Sequence, residues 1–224
     1  MHMNTLGYGW NATDQLSSHV IMHEFGHRWL YFLRIKEGDA ITSSLNPVSA
    51  HPAQYIDTPA AFQVFNGDDA SVMGGGVFTP NSDGTFHVRA ANFGYSWTDL
   101  YLMGFASPTE VTPWFYIANS SPALGPEYYP PDNINVSGAR TDVSVQQIID
   151  ALGPRKPSME NSPKSFRVLF VLVTDDGVDA TPDQLASVKN VRQLFEKNFK
   201  IATGGRAEVH TDYSPIAHRR GVGH

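Results

Sequence analysis

The chain contains no cysteine, so disulfides and thiolate-ligated metal sites are excluded, and any metal must be held by nitrogen or oxygen donors. Its 16 Lys plus Arg against 22 Asp plus Glu give a formal net charge of −6, and the basic pair Arg219-Arg220 lies near the C-terminal end. Nucleic acid is therefore not an expected partner. No apolar run reaches the roughly 18 to 20 residues that span a bilayer; the longest candidate, Val168 to Val173 with its neighbours, is strand-sized. The opening Met1-His2-Met3 has neither the basic nor the apolar region of an export signal, which would have to lie upstream. What remains is ordinary globular composition, 41% hydrophobic and 17% charged over 224 residues, enough to bury a sizeable core.

From Thr13 to about Ile35, apolar residues recur at helical spacing: Val20, Ile21, Phe25, Trp29, Leu30 and Leu33. That helix carries His23-Glu24-Phe25-Gly26-His27. Histidines four residues apart share a helix face, so His23 and His27 can both present a ring nitrogen to one metal ion, and zinc suits the pair. Glu24 sits one step round the helix, within reach of a water at an open coordination position, where a carboxylate can serve as general base. Gly26 permits close approach to the helix, while Phe25, Trp29 and Leu30 anchor it in a core.

A third protein ligand must come from elsewhere. His19 continues the four-residue ladder, but ligands on three successive turns cannot converge on one ion, so it is read as structural or as a support to the ligands. The run Arg28 to Leu33 has no further histidine, which disfavours the longer metzincin motif. Two candidates are left. Asp99 stands on a short helix opened by Ser96, where it serves either as the third ligand or as the partner of Ser96 in a capping box; the ligand reading is preferred. His51, ahead of Pro52 in a loop, is either the third ligand or a hydrogen-bond donor to the transition state.

Along the chain, Val72–Phe78 and Thr85–Val88 around Asn81-Ser82-Asp83-Gly84 predict a hairpin, and Thr58–Phe65 suits a short helix. Ser96 to Gly104 predicts the short second helix. Prolines crowd the 107–163 stretch, which reads as loop apart from a helix over Ser144–Leu152. Ser165–Thr174 predicts a mostly buried strand, and Thr181–Lys200 a helix with Pro182 at its first position. The glycines Gly74 to Gly76 lack the ending of a phosphate loop and suit a bulge or a substrate-edge strand. The expected organisation is one catalytic domain over 1–224: a metal-binding part (1–104), a proline-rich connector (105–164) and a strand-helix part (165–224).

These segments resemble a group of bacterial secreted zinc metallopeptidase-like proteins of the HExxH class. The resemblance rests on HEFGHRW (23–29), SVMGG (71–75), SDGTF (82–86), YSWTDLYLMG (95–104), ALGPRKP (151–157), FRVLFVLVT (166–174) and ATGGRA (202–207). In similar sequences the position of Asp99 is Asp or Glu, which favours a carboxylate ligand, and His is often followed by Trp where this chain has His51-Pro52. The resemblance implies an exported or cell-surface bacterial peptidase acting on protein or peptide substrates.

The expected fold is α+β and zincin-like: an active-site helix, a short second ligand helix, a small β-sheet and long proline-rich loops. The expected activity is that of a zinc-dependent endopeptidase, with Zn²⁺ on His23, His27 and Asp99 and Glu24 as general base. His51, Tyr95 or Tyr101 would donate to the developing oxyanion. The alternatives are a non-catalytic, zinc-stabilised binding or adhesion module, against which an intact Glu24 speaks, and a zinc hydrolase of non-peptide amides or esters.

Overall fold

A computed structural model describes residues 15–48, 50–65 and 67–212, so the expected helix cap at Thr13 or Asp14 and the pair Arg219-Arg220 lie outside the described residues. The described fold is mixed α+β, with four α-helices and several small sheets. Among the described residues, no helix is long and apolar enough to cross a membrane.

Helix α1 (Gln15–Gly26) is shorter than its periodicity predicts; residues 27–31 form turns, and the chain reaches β1 (Ile35–Glu37) where helix was expected to end. Its last turn still holds His27, whose backbone N–H donates to His23 O at 3.2 Å. The face opposite the histidines is buried by aromatic packing: Phe25 lies 5.3 to 5.8 Å, centroid to centroid, from Trp29, Phe166, Phe195 and Phe199. Phe195 and Phe199 belong to α4 (Pro182–Ala202), which Thr181 caps by accepting from Gln184 N. Asn198 of α4 donates to Ser18 of α1 at 2.7 Å, fixing the register of the two helices inside the core. A Cβ at Gly26 would meet Met73 Sδ at 2.7 Å, so a larger residue there would force the Met73 side chain aside.

Helix α2 (Trp97–Met103) begins and ends as its sequence demands. Ser96 accepts from Asp99 N at 3.1 Å, Asp99 Oδ2 accepts from Ser96 N at 2.7 Å, and Gly104 closes the helix in the left-handed conformation. Tyr95, just ahead, donates its hydroxyl to Met22 O at 2.7 Å and so ties the start of α2 to α1. Helix α3 (Val145–Leu152) also falls where expected, with Gln147 accepting from Ser144 N at 2.9 Å.

The expected hairpin pairs β4 (Val77–Pro80) with β5 (Phe86–Arg89) across Asn81–Thr85, where Asp83 accepts from Thr85 N. Residues 58–65 form no helix; they make isolated bridges such as Pro59 to Ala70 and Ala60 to Ser96. The 105–164 stretch differs most from expectation. It carries β7 (Trp114–Ser121) and β8 (Ile134–Val143), the longest strands among the described residues, and these complete an antiparallel sheet of order β4-β5-β8-β7. Phe78, Phe86, Val88, Phe115, Ile117 and Val136 form its apolar face. Much of β8 is exposed, so its polar residues give it the composition of a loop.

Three smaller pairs complete the architecture, the first two being β1 with β2 (Ala40–Thr42), antiparallel, and β3 (Asp69–Ser71) with β6 (Ala91–Gly94), parallel. A third joins β9 (Ser165–Arg167) to β10 (Glu208–His210). The expected buried strand over 165–174 shrinks to β9. Beyond it, Val168, Phe170 and Leu172 turn partly inward while Val171 and Val173 are 82% and 83% exposed. Its apolar residues therefore alternate between the core and solvent, where a continuous run suggests burial on both faces.

Candidate metal centre

His23 and His27 leave α1 on one face, and each ring is held from behind by a backbone carbonyl. Nδ1 of His23 lies 2.8 Å from Val72 O, and Nδ1 of His27 lies 3.0 Å from Leu30 O. A carbonyl only accepts, so each Nδ1 carries the proton and each Nε2 presents a lone pair. The Val72 carbonyl is available because the 72–76 segment is a tight turn, pinned by Asn92 Nδ2 donating to Ser71 O and Gly75 O.

The third imidazole is that of His51. Its Nε2 is 3.0 Å from His23 Nε2, which is 3.1 Å from His27 Nε2, and one nitrogen from each of the three rings falls within 4.8 Å of the others. Tetrahedral zinc with bonds of about 2.0–2.1 Å separates neighbouring nitrogens by about 3.3 Å. The two spacings that involve His23 are slightly tighter, and the donor set and its convergence fit zinc. Facing lone pairs at this distance repel unless a cation or a proton lies between them.

Asp99 does not join the cluster. It is 1% exposed and spends its carboxylate on the N-terminus of α2, while burial pushes its carboxyl up against the opposing hydrogen bonds from Ser71 and Ser96. The cap engages Oδ2 and leaves Oδ1 buried outside it, and a carboxyl held towards its neutral form is a poor metal donor. Tyr101 is likewise core: it is buried, and its hydroxyl accepts from Arg155 N at 3.1 Å. Tyr95 is committed to Met22 O. None of the three is placed to assist at the histidines.

Two residues that sequence reasoning passed over do lie there. The loop between β7 and β8 brings Tyr128 against His51, with rings stacked 4.6 Å apart at 25°. It also brings the Tyr129 hydroxyl to 2.9 Å from Val72 O, 3.2 Å from His23 Nδ1 and 3.1 Å from His19 Nε2. His19 is thus linked to the ligand pair through Tyr129. Gly75 N donates to Tyr128 O at 2.7 Å, and a Cβ at Gly74 would lie 2.7 Å from the same oxygen. The triple glycine is therefore the seat of this loop, which corrects the expectation of a free substrate-edge strand. The one sequence signal was the pair Tyr128-Tyr129 stiffened by Pro130-Pro131, and nothing in its spacing connects it with α1.

Burial favours the neutral form of His23 and of His19. Burial lowers His23 to about 4 against the opposing bond to Val72, and the neighbouring His27, His51 and His19 lower it further. Burial also lowers His19, and it raises Tyr129, to which the charges of Tyr128 and Glu24 add. Glu24 is exposed, and its carboxylate makes no ion pair or hydrogen bond among the described residues. Compared with known proteins, the chain matches no family model, no curated protein and no solved structure. The chemistry of the site is read from its own geometry.

Proposed function

We propose that this chain is a zinc-dependent endopeptidase whose metal is held by His23, His27 and His51, with Glu24 as general base. The observation that carries the reading is the meeting of three Nε2 atoms, two of them backed by carbonyls that set the ligand tautomer. Such backing is how metal-binding histidines are oriented and kept basic. Zinc, when bound there, would supply Lewis-acid polarisation of a substrate carbonyl.

The protein's own residues divide the remaining work. Glu24, next to His23 and free of any ion-pair partner among the described residues, takes a proton from the attacking water and returns it to the leaving amine. Tyr128 holds the plane of His51 by stacking, and Tyr129 fixes His23 and the Val72 carbonyl together. The arrangement of α1 with a third ligand from a loop suits a zincin-like site, and the resemblance of the motifs to exported bacterial metallopeptidases agrees with it.

The test is zinc content by mass spectrometry together with casein cleavage, for the wild type and for His51→Ala. Stoichiometric zinc and cleavage in the wild type, both lost in the variant, are expected. Full zinc in His51→Ala would overturn the ligand set. Stoichiometric zinc in a wild type that cuts neither casein nor a peptide library would favour the zinc-stabilised binding module.

A further inference from the structure

A cleft of about 440 Å³, open to solvent, lies between the segment that carries Tyr55, strand β7 and the start of the β7–β8 loop. Its volume falls in the range of small-ligand sites. Three side chains define its chemistry. The rings of Tyr55 and Tyr116 meet at 60° with centroids 6.3 Å apart, so they form a corner. The Tyr55 hydroxyl donates to Ser44 O at 2.7 Å, which holds that ring in place. The Tyr116 hydroxyl donates to Glu37 Oε1 at 3.3 Å and so orients the carboxylate beside the aromatic corner.

Glu37 has no ion-pair partner among the described residues, although other carboxylates, such as those of Asp132, Asp142 and Glu110, are paired with arginines. The wall beyond the tyrosines is apolar, formed by Leu45, Ala123 and Leu124. The floor is the irregularity of β7, where the register with β8 shifts between Ala118 and Ser121 and Asn119 takes a positive φ of 53°. At such an irregularity the extra residues fall outside the regular ladder. An unpaired carboxylate, two aromatic rings and an apolar wall together suit a cation carried on an aliphatic stem.

The cleft is also joined to the histidines. Tyr55 and His51 share one short segment, and between them Gln54 accepts from Gly125 N at 2.7 Å and donates to Tyr129 O at 2.8 Å. One amide thus clamps the loop at both its cleft end and its metal end. We infer that the Glu37–Tyr55–Tyr116 cleft is a subsite for a lysine or arginine side chain of the substrate. As a specificity site this rests on the peptidase reading; as a cation site it stands without it.

The test therefore uses binding to the whole chain without metal, followed by two-dimensional amide NMR. The probes are Nα-acetyl-lysine methylamide and its uncharged analogue Nα-acetyl-norleucine methylamide. The lysine probe is expected to shift the amides of Tyr55, Tyr116 and residues 118–120 and to bind about tenfold more tightly than the norleucine probe, a difference that Glu37→Gln abolishes. The same spectra report whether the variant is folded; if it is not, Tyr116→Leu takes its place with the same expected loss. Equal affinity for the two probes, shifts located elsewhere, or a folded variant that keeps the preference would overturn the inference. Loss of casein cleavage alone would touch only the peptidase reading.

Discussion

Glu24 and Asp99 stand in the two most distinctive motifs of the chain, HEFGHRW and YSWTDLYLMG, and each is a carboxylate on a helix that packs into the same core. Their surroundings separate them. Glu24 is exposed beside two imidazoles, whereas Asp99 is buried under its own helix terminus and bonded to Ser96. A carboxylate keeps its charge and its free lone pairs where water reaches it, and it turns into a structural acceptor where water does not. Both side chains are helical carboxylates, but Glu24 stands in the last turn of its helix and Asp99 in the first turn of its own; position, solvent and hydrogen bonds assign the chemistry.

The largest effect expected from this contrast is at Glu24. Glu24→Gln should lower the rate of casein cleavage by about 10²- to 10⁴-fold with zinc content unchanged, the range for a lost general base. Retention of wild-type cleavage would erase the distinction between the two carboxylates.

Asp57, a second buried carboxylate, extends the comparison. Burial raises it from 3.8 to about 7, against the opposing bond from Phe78 N and the charge of Arg140. Between those values the folded state keeps a proton that the unfolded state releases. The stability from Asp57 is thus fully present below the unfolded value and is lost as pH rises through about 7. Asp57→Asn, which retains an acceptor for Phe78 N, should remove that decline and stabilise the protein by about 2–4 kcal/mol at about pH 8 in urea titrations. An unchanged pH slope would show that Asp57 is ionised like an exposed acid.

At Asp99 a smaller, purely structural effect is expected: Asp99→Ala should cost about 1–2 kcal/mol of stability, as loss of a helix cap does, while zinc stoichiometry stays at the wild-type value. Zinc loss in a folded variant would return Asp99 to the ligand set. The smallest effect is set for Tyr129→Phe, which removes the hydroxyl beside His23 Nδ1 and Val72 O. Zinc affinity measured by chelator competition should fall about tenfold, as for other lost supports of a ligand. No change would mean that the Val72 carbonyl alone orients His23.

Elements marked by local chemistry were legible in the sequence. The cap at Ser96, the stop at Gly104, the turn at Asn81–Thr85 and the start of α4 at Thr181-Pro182 act over a few residues, and each is found in place. Elements whose partners are far along the chain were not. β7 and β8 hide in a stretch rich in proline and polar residues because one side of β8 faces solvent, and only pairing with β5 and with each other makes them strands. The early end of α1 at Gly26 was equally hidden, since its apolar spacing runs on past the last helical turn.

The same division runs through the site. The order of amino acids alone placed His23 and His27 on one face with Glu24 beside them, because a helix has a fixed period and needs no other part of the chain to express it. Packing over long separations brought His51, and not Asp99, to His23 and His27 and set Tyr128 and Tyr129 against the imidazoles, through contacts that join residues 28 to 110 positions apart. Those choices depend on which groups exclude water from which others, and that is decided only when the loops close on the core.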